Sequence, residues 1–188
     1  VNEEFIVYWS SDEKGGHGKS IYCAKTKDFR TFTKQQMYLP CKVNEHPEQF
    51  EGDYITYIDS AVYKYKDTVY RFTKRENDVT IFLETSDSFF GDFTLVKDKI
   101  AGEDGVEGPD IYKLNDEEKW ILMMDGYCLS NPGVGYFPLI AESEEDLKAG
   151  NFRRLKEGEY KMPTGAKHGA IIPVTEEEYQ AVMAKWKK

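Results

Sequence analysis

Asp59-Ser60-Ala61-Val62-Tyr63-Lys64 returns 49 residues later as Gly108-Pro109-Asp110-Ile111-Tyr112-Lys113, and this echo decides the fold. Both copies carry the apolar-polar alternation that lays one face of a strand on a core. Each is followed by a polar turn and a second strand-like run. Lys66-Asp67 leads into Tyr70-Arg71-Phe72, and Asn115 to Glu118 leads into Trp120-Ile121-Leu122. Lys66-Asp67 is short enough for a tight hairpin, although it lacks the Gly such turns favour. A second echo pairs Ile21-Tyr22-Cys23-Ala24-Lys25-Thr26-Lys27-Asp28-Phe29 with Ile81-Phe82-Leu83-Glu84-Thr85-Ser86-Asp87-Ser88-Phe89, and loosely with Leu139-Ile140-Ala141-Glu142-Ser143. An aromatic residue trails each copy: Phe32, Phe93 and Phe152, spaced 61 and 59 residues apart.

Outward from these echoes, the chain reads as strands at 5–9, 20–24, 60–65, 68–73, 79–85, 110–114, 119–125, 136–141 and 168–174, with a long loop over 40–56. Strand, hairpin, strand and strand at a period of about 50–60 residues is how a four-stranded propeller blade reads. An ordinary β-sandwich is the plain alternative. Residues 59–97 make one blade and 109–155 another, with part of a blade before them and a single strand after. Propellers close with about 4–8 blades. The expectation is an all-β propeller of which residues 1–188 supply roughly three blades and a short C-terminal helix.

That helix is well marked over 175–187. Thr175 can cap it, Glu178 stands at the capping-box position, and Val174 and Tyr179 can form a hydrophobic staple. Glu176, Glu177 and Glu178 at its start, with lysines at its end, complement the helix dipole. Tyr179, Val182, Met183 and Trp186 form one apolar stripe, expected to pack on the propeller.

Composition narrows the function. The 13 Tyr, 11 Phe and 3 Trp suit β-sheet, and flat rings also suit the C–H faces of sugars. A net charge of −9 with no basic patch excludes nucleic acid as a partner. No stretch approaches the ~18 apolar residues of a membrane span. Cys23, Cys41 and Cys128 have neither disulfide-framework nor zinc spacing. The start at Val1, without an initiator Met, leaves any signal peptide unread and the compartment open, with a bacterial cytoplasm as the default.

No phosphate loop, dinucleotide fingerprint, HExxH or GxSxG is present. What remains is a pair of carboxylates at the mouths of matched strands: Asp59 after Tyr57-Ile58, and Glu107 before Gly108-Pro109. A carboxylate beside a buried strand is costly unless solvated or paired. Two at matching ends of repeated inner strands converge on the propeller axis, where glycosidase chemistry needs them.

Ile58-Asp59-Ser60-Ala61-Val62-Tyr63, Tyr70-Arg71-Phe72-Thr73-Lys74, Glu107-Gly108-Pro109, Lys119-Trp120-Ile121-Leu122-Met123-Met124-Asp125 and Lys167-His168-Gly169-Ala170-Ile171-Ile172-Pro173-Val174 resemble successive signatures of family-43 glycoside hydrolases. Tyr8-Trp9-Ser10-Ser11 and Thr26-Lys27-Asp28-Phe29 with Phe32 fit as well. The resemblance implies a five-bladed β-propeller and inverting hydrolysis of α-L-arabinofuranosides or β-D-xylosides by three carboxylates, an arabinofuranosidase or xylosidase of polysaccharide degradation. By resemblance, Glu107 is the general acid and Asp59 the carboxylate that tunes and orients it. Lys74, Asp125 and His168 are substrate contacts, and His168 also matches a histidine that holds water or a structural calcium. No cofactor is otherwise implied. The family's third carboxylate, the base, lies in the first blade and has no match here, Asp12 being placed in a loop-like Ser11-to-Gly16 stretch. The expectation is therefore a C-terminal part of one propeller domain, completed by missing N-terminal blades or a partner chain and inactive alone. A non-catalytic propeller that binds carbohydrate or protein is the alternative.

Overall fold

A computed structural model describes residues 4–12, 15–126, 135–163 and 165–186. Three antiparallel sheets follow one another along the chain. The first has three strands in sequence order, β1 (Phe5–Asp12), β2 (Lys19–Thr26) and β3 (Gln36–Leu39). A two-stranded ribbon, β4 (Lys42–Val43) with β5 (Tyr54–Ile55), occupies part of the expected long loop. The second sheet has four strands, β6 (Tyr57–Tyr65), β7 (Thr68–Arg75), β8 (Thr80–Ser86) and β9 (Thr94–Lys97). So has the third, built from β10 (Glu107–Lys113), β11 (Trp120–Gly126), β12 (Gly135–Ala141) and β13 (Arg153–Arg154). The latter two are the expected four-stranded blades, and together with the first sheet they form a sector of a β-propeller.

Local chemistry explains the joints. Tyr65 pairs with Thr68, so Lys66-Asp67 is a two-residue hairpin, and Lys66 takes the left-handed conformation (φ 52°) that the missing Gly would have taken more cheaply. Between β12 and β13 lies a short helix that sequence periodicity did not reveal, α1 (Glu144–Ala149). Its N-cap Ser143 Oγ accepts from the Asp146 N–H, and Gly150 closes it in the left-handed region (φ 66°).

Two apolar layers hold the blades together. Tyr70, Phe72, Ile81 and Leu83 of the second blade meet Ile111, Trp120, Leu122, Met124, Phe137 and Leu139 of the third, all buried. A smaller layer joins Ile21 and Leu39 of the first blade to Tyr57 and Phe82 of the second. On the far face of the third blade, Ile121, Met123, Tyr136 and Ile140 are covered by Leu155, Met162 and Ala166 of the following coil.

Three expectations are corrected. Residues 168–174 are not a strand: the run carries Pro173 and finds no ladder, although its backbone lies against the third blade through Ile171 N–H to Asp110 Oδ2 (2.8 Å). The terminal helix, α2 (Glu176–Trp186), has its capping box, with Glu178 N–H on Thr175 Oγ1 and Thr175 N–H on Glu178 Oε2. Its apolar stripe does not pack on the propeller, for Tyr179, Val182 and Trp186 are exposed. The loose echo at Leu139 is out of register, because Lys74 pairs with Ile81 where Asp125 pairs with Tyr136, so Tyr136 is the true counterpart of Ile81. Cys23 is a buried free thiol, and Cys128 lies outside the described residues.

Candidate active site

The innermost strands β6 and β10 each carry one extra residue at the same end. On β6 the register slips between Ile58, opposite Lys74, and Ser60, opposite Thr73, leaving Asp59 as the bulge. On β10 it slips between Glu107, opposite Asp125, and Asp110, opposite Met123. Asp59 and its repeat counterpart Gly108 both adopt the left-handed conformation, φ 47° and 57°. A bulge re-aims the side chains beside it, and Asp tolerates this conformation better than most residues do. Gly108 has a further reason to lack a side chain: a Cβ there would stand 2.6 Å from the His168 ring.

These twin bulges bring the carboxylates together. Asp59 Oδ2 accepts from the Gly108 N–H (3.2 Å), pinning the peptide that follows Glu107. Glu107 Oε2 accepts from the Lys74 ammonium at 2.8 Å, and His168 Nε2 lies 3.1 Å from Glu107 Oε1. Asp125, almost fully buried, has His168 Nε2 at 3.6 Å and the Lys167 ammonium at 3.3 Å. All five residues singled out in the sequence thus meet at one end of the second and third blades.

The sequence did not reveal how they are wired. Glu76, in the turn after β7, takes the Lys74 ammonium at 2.7 Å and that of Lys19 at 3.2 Å. A chain of polar contacts therefore runs from Lys19 in the first blade through Glu76, Lys74 and Glu107 to His168, Asp125 and Lys167. Burial opposes the charge on Lys74, but Glu107 and Glu76 outweigh it and hold the ammonium above its ordinary pKa. Glu76 is likewise pushed up by burial and pulled further down by Lys74 and Lys19, ending below the usual carboxylate range. Asp110 is raised by burial, which the N–H groups of Ile171 and Ile111 only partly offset. An acid in the middle of a strand, as in Pro109-Asp110-Ile111, is the signal that could have found it.

One rule organises the second strands of all three blades. The registers make Ser10, Lys74 and Asp125 equivalent, and each reaches the element that follows its own blade. Ser10 Oγ accepts from the Asp59 N–H (3.2 Å), Lys74 holds Glu107, and Asp125 meets Lys167 and His168. His168 thus belongs to the segment standing where a further inner strand would follow.

Asp59, Glu107 and His168 each offer one ligand atom, and the three lie within 4.8 Å of one another. Calcium takes about 6–8 oxygen ligands. Two carboxylates and an imidazole nitrogen, with an ammonium already on one carboxylate, do not fit a protein-made calcium cage. A groove of about 560 Å³ runs along the far end of β10 beside Ile171, Ile172 and Pro173, and none of the five residues lines it.

Residues 1–180 match a family described as "Probable glycosyl hydrolase domain", related to glycoside hydrolase family 43. The chain belongs to that family. Solved structures agree on the fold. A thermostable family-43 glycoside hydrolase aligns with TM-score 0.59 and 19% identity over 90% of this chain and 57% of its own. The RS223 β-xylosidase aligns with TM-score 0.54 and 14% identity over 84% and 55%. A β-1,2-mannobiose phosphorylase from Listeria innocua aligns with TM-score 0.55 and 23% identity over 86% and 43%. This glycosyl hydrolase domain thus spans about half the length of the structures it resembles. No curated protein matches it.

Proposed function

We propose that this domain contributes the acid side of an inverting glycosidase acting on α-L-arabinofuranosides or β-D-xylosides. The observation that carries the reading is the meeting of Asp59, Glu107 and His168 at twin bulges on neighbouring inner strands. In the proposed reaction Glu107 protonates the leaving glycosidic oxygen while water attacks the opposite face of the sugar. Asp59 acts by fixing the Gly108 peptide and lending negative charge beside the acid. Lys74, Asp125 and His168 hold the sugar and the acid in place, and no cofactor is needed. Inversion requires a base about 6.5–9.5 Å from the acid, and no residue of this chain is assigned to it. The base belongs to the remainder of the propeller, which other blades of the polypeptide or a partner chain would supply.

One observation favours a second reading, a propeller that binds carbohydrate without cleaving it. Both oxygens of Glu107 are already engaged, one by Lys74 and one by His168. An acid must turn one oxygen toward the glycosidic bond, so catalysis requires substrate to compete with Lys74 or His168 for one of them. Sugar release and calorimetric binding, measured on the complete protein with arabinofuranosides, xylosides and mannosides, separate the readings. Turnover of a pentoside that is lost in Glu107→Gln supports the enzyme. Binding without turnover supports the second reading, and turnover of mannosides alone overturns the substrate assignment.

A further inference from the structure

The candidate acid is gripped on one oxygen by a side chain that is itself gripped. Lys74, with its side chain 3% exposed, puts its ammonium 2.8 Å from Glu107 Oε2 and 2.7 Å from Glu76 Oε1. The other oxygen of Glu76, Oε2, accepts from Lys19 of the first blade at 3.2 Å. A lysine ammonium is a compact charge on a flexible four-carbon stem, so the groups that accept from it decide where it stands. Lys74 is held by two carboxylates, one from its own blade and one from the next.

The turn that carries Glu76 is fixed independently of that ammonium. The Glu76 N–H donates to the Thr56 carbonyl (3.0 Å), and the Thr56 N–H donates back to Asn77 Oδ1 (2.9 Å). The Asn77 side-chain amide donates to the carbonyls of Glu51 and Tyr54 at 2.7 and 2.8 Å. The Glu76-Asn77 turn is thereby tied to the chain that enters β6. A reacting group is placed only as well as the shell behind it, and here that shell is built. The partner of the other Glu107 oxygen is different: His168 is exposed and stands at the start of a run that joins no sheet.

We propose that Glu76 is a positioning residue for the proton donor: by holding the Lys74 ammonium it fixes Glu107 Oε2 and leaves Oε1 as the oxygen that reaches the substrate. The inference rests on Glu107 being the general acid. It also settles which partner substrate competes with, since the buried, doubly held Lys74 is the harder of the two to displace. Charge is part of the hold. A charge-assisted hydrogen bond is about twice as strong as a neutral one. An uncharged residue at position 76 would let the ammonium shift toward Glu107 and carry Oε2 with it. A misplacement of about 1 Å can cost about 10²-fold in rate.

The test is Glu76→Gln in the complete protein, assayed on a natural pentoside and on the matching dinitrophenyl glycoside. Turnover (kcat) of the natural substrate should fall by about 10–100-fold with KM scarcely changed. The dinitrophenyl substrate, which scarcely needs the proton, should lose far less. Both rates are read in one preparation, so any loss of folded protein cancels from their ratio. In a Lys74→Met background, Glu76→Gln should change that ratio by less than about twofold, because the path through the ammonium is already cut. An unchanged ratio in Glu76→Gln would overturn the proposal, and so would a change of equal size with and without Lys74. Glu107→Gln tells this failure from that of the acid reading. If Glu107→Gln spares the dinitrophenyl substrate and Glu76→Gln does not, the inference falls alone; if Glu107→Gln does not spare it, both fall.

Discussion

The boundary between the second and third blades and the boundary between the first and second are built from the same strand positions in different chemistry. At the former, Tyr70, Phe72, Leu83, Trp120, Leu122 and Phe137 interdigitate with little but carbon between them. At the latter, the second blade offers Arg71, Thr73 and Arg75 from β7, all buried. Arg71 lies 3.8 Å over the Phe93 ring and 4.9 Å over Tyr38, and it pairs with Glu84 at 2.6 Å. Arg75 holds Asp78 and Asp98 at 2.6 and 2.8 Å. Alternation along one strand, β7, thus gives one blade a greasy face and a charged face. The greasy boundary is the one whose end carries Asp59 and Glu107.

If that comparison holds, one substitution should cost different amounts at the two boundaries. Leu83→Ala, fully buried between the second and third blades, should lose about 3–5 kcal/mol. Leu39→Ala, in the smaller layer at the other boundary, should lose about 2–3 kcal/mol. Urea midpoints measure both, and equal losses would erase the distinction.

Arg71→Met tests the charged boundary itself. It keeps the stem but strips Glu84 of its partner, and the loss should be about 2–3 kcal/mol. Arg71→Lys should recover little of it, since an ammonium cannot stack flat on Phe93.

Acid should loosen the charged side first. Burial raises the Asp78 carboxyl, but Arg75 outweighs it and holds the pKa below the ordinary 3.8. Glu76 sits below its ordinary 4.5 by the same balance with Lys74 and Lys19. Both folded values are depressed, so their stabilisation is present in full above the unfolded pKa and lost as pH falls through the folded one. Stability followed downward from pH 5 should therefore fall less steeply in Asp78→Asn and Glu76→Gln than in the parent. The smallest effect is expected for Ser10→Ala, which removes the acceptor of the Asp59 N–H and should cost about 1 kcal/mol.

Much of this was legible because alternation and repeats are local. The run from Asp59 to Phe72 shows its period and its turn, and the match of Asp59 with Gly108 pairs the two positions at which the inner strands bulge. Capping residues likewise announced α2. What the helix stripe packs on was not legible, since periodicity defines a face and says nothing of its partner. The run at 168–174 misled because apolar residues resemble a strand whether or not a neighbouring edge exists to pair with. The five candidate residues were found through repeat and resemblance, but their wiring was not. Lys19 and Glu76 are 57 residues apart, and nothing local couples them.

The central claim is that Glu107 donates a proton to the leaving group, and the most direct measurement compares two leaving groups in Glu107→Gln of the complete protein. The amide keeps the shape and removes the proton donor. Hydrolysis of a natural pentoside should fall by about 10²–10⁴-fold. Hydrolysis of the matching dinitrophenyl glycoside, whose leaving group scarcely needs protonation, should fall far less. Equal losses on the two substrates would contradict the claim and leave Glu107 as a residue that positions the sugar.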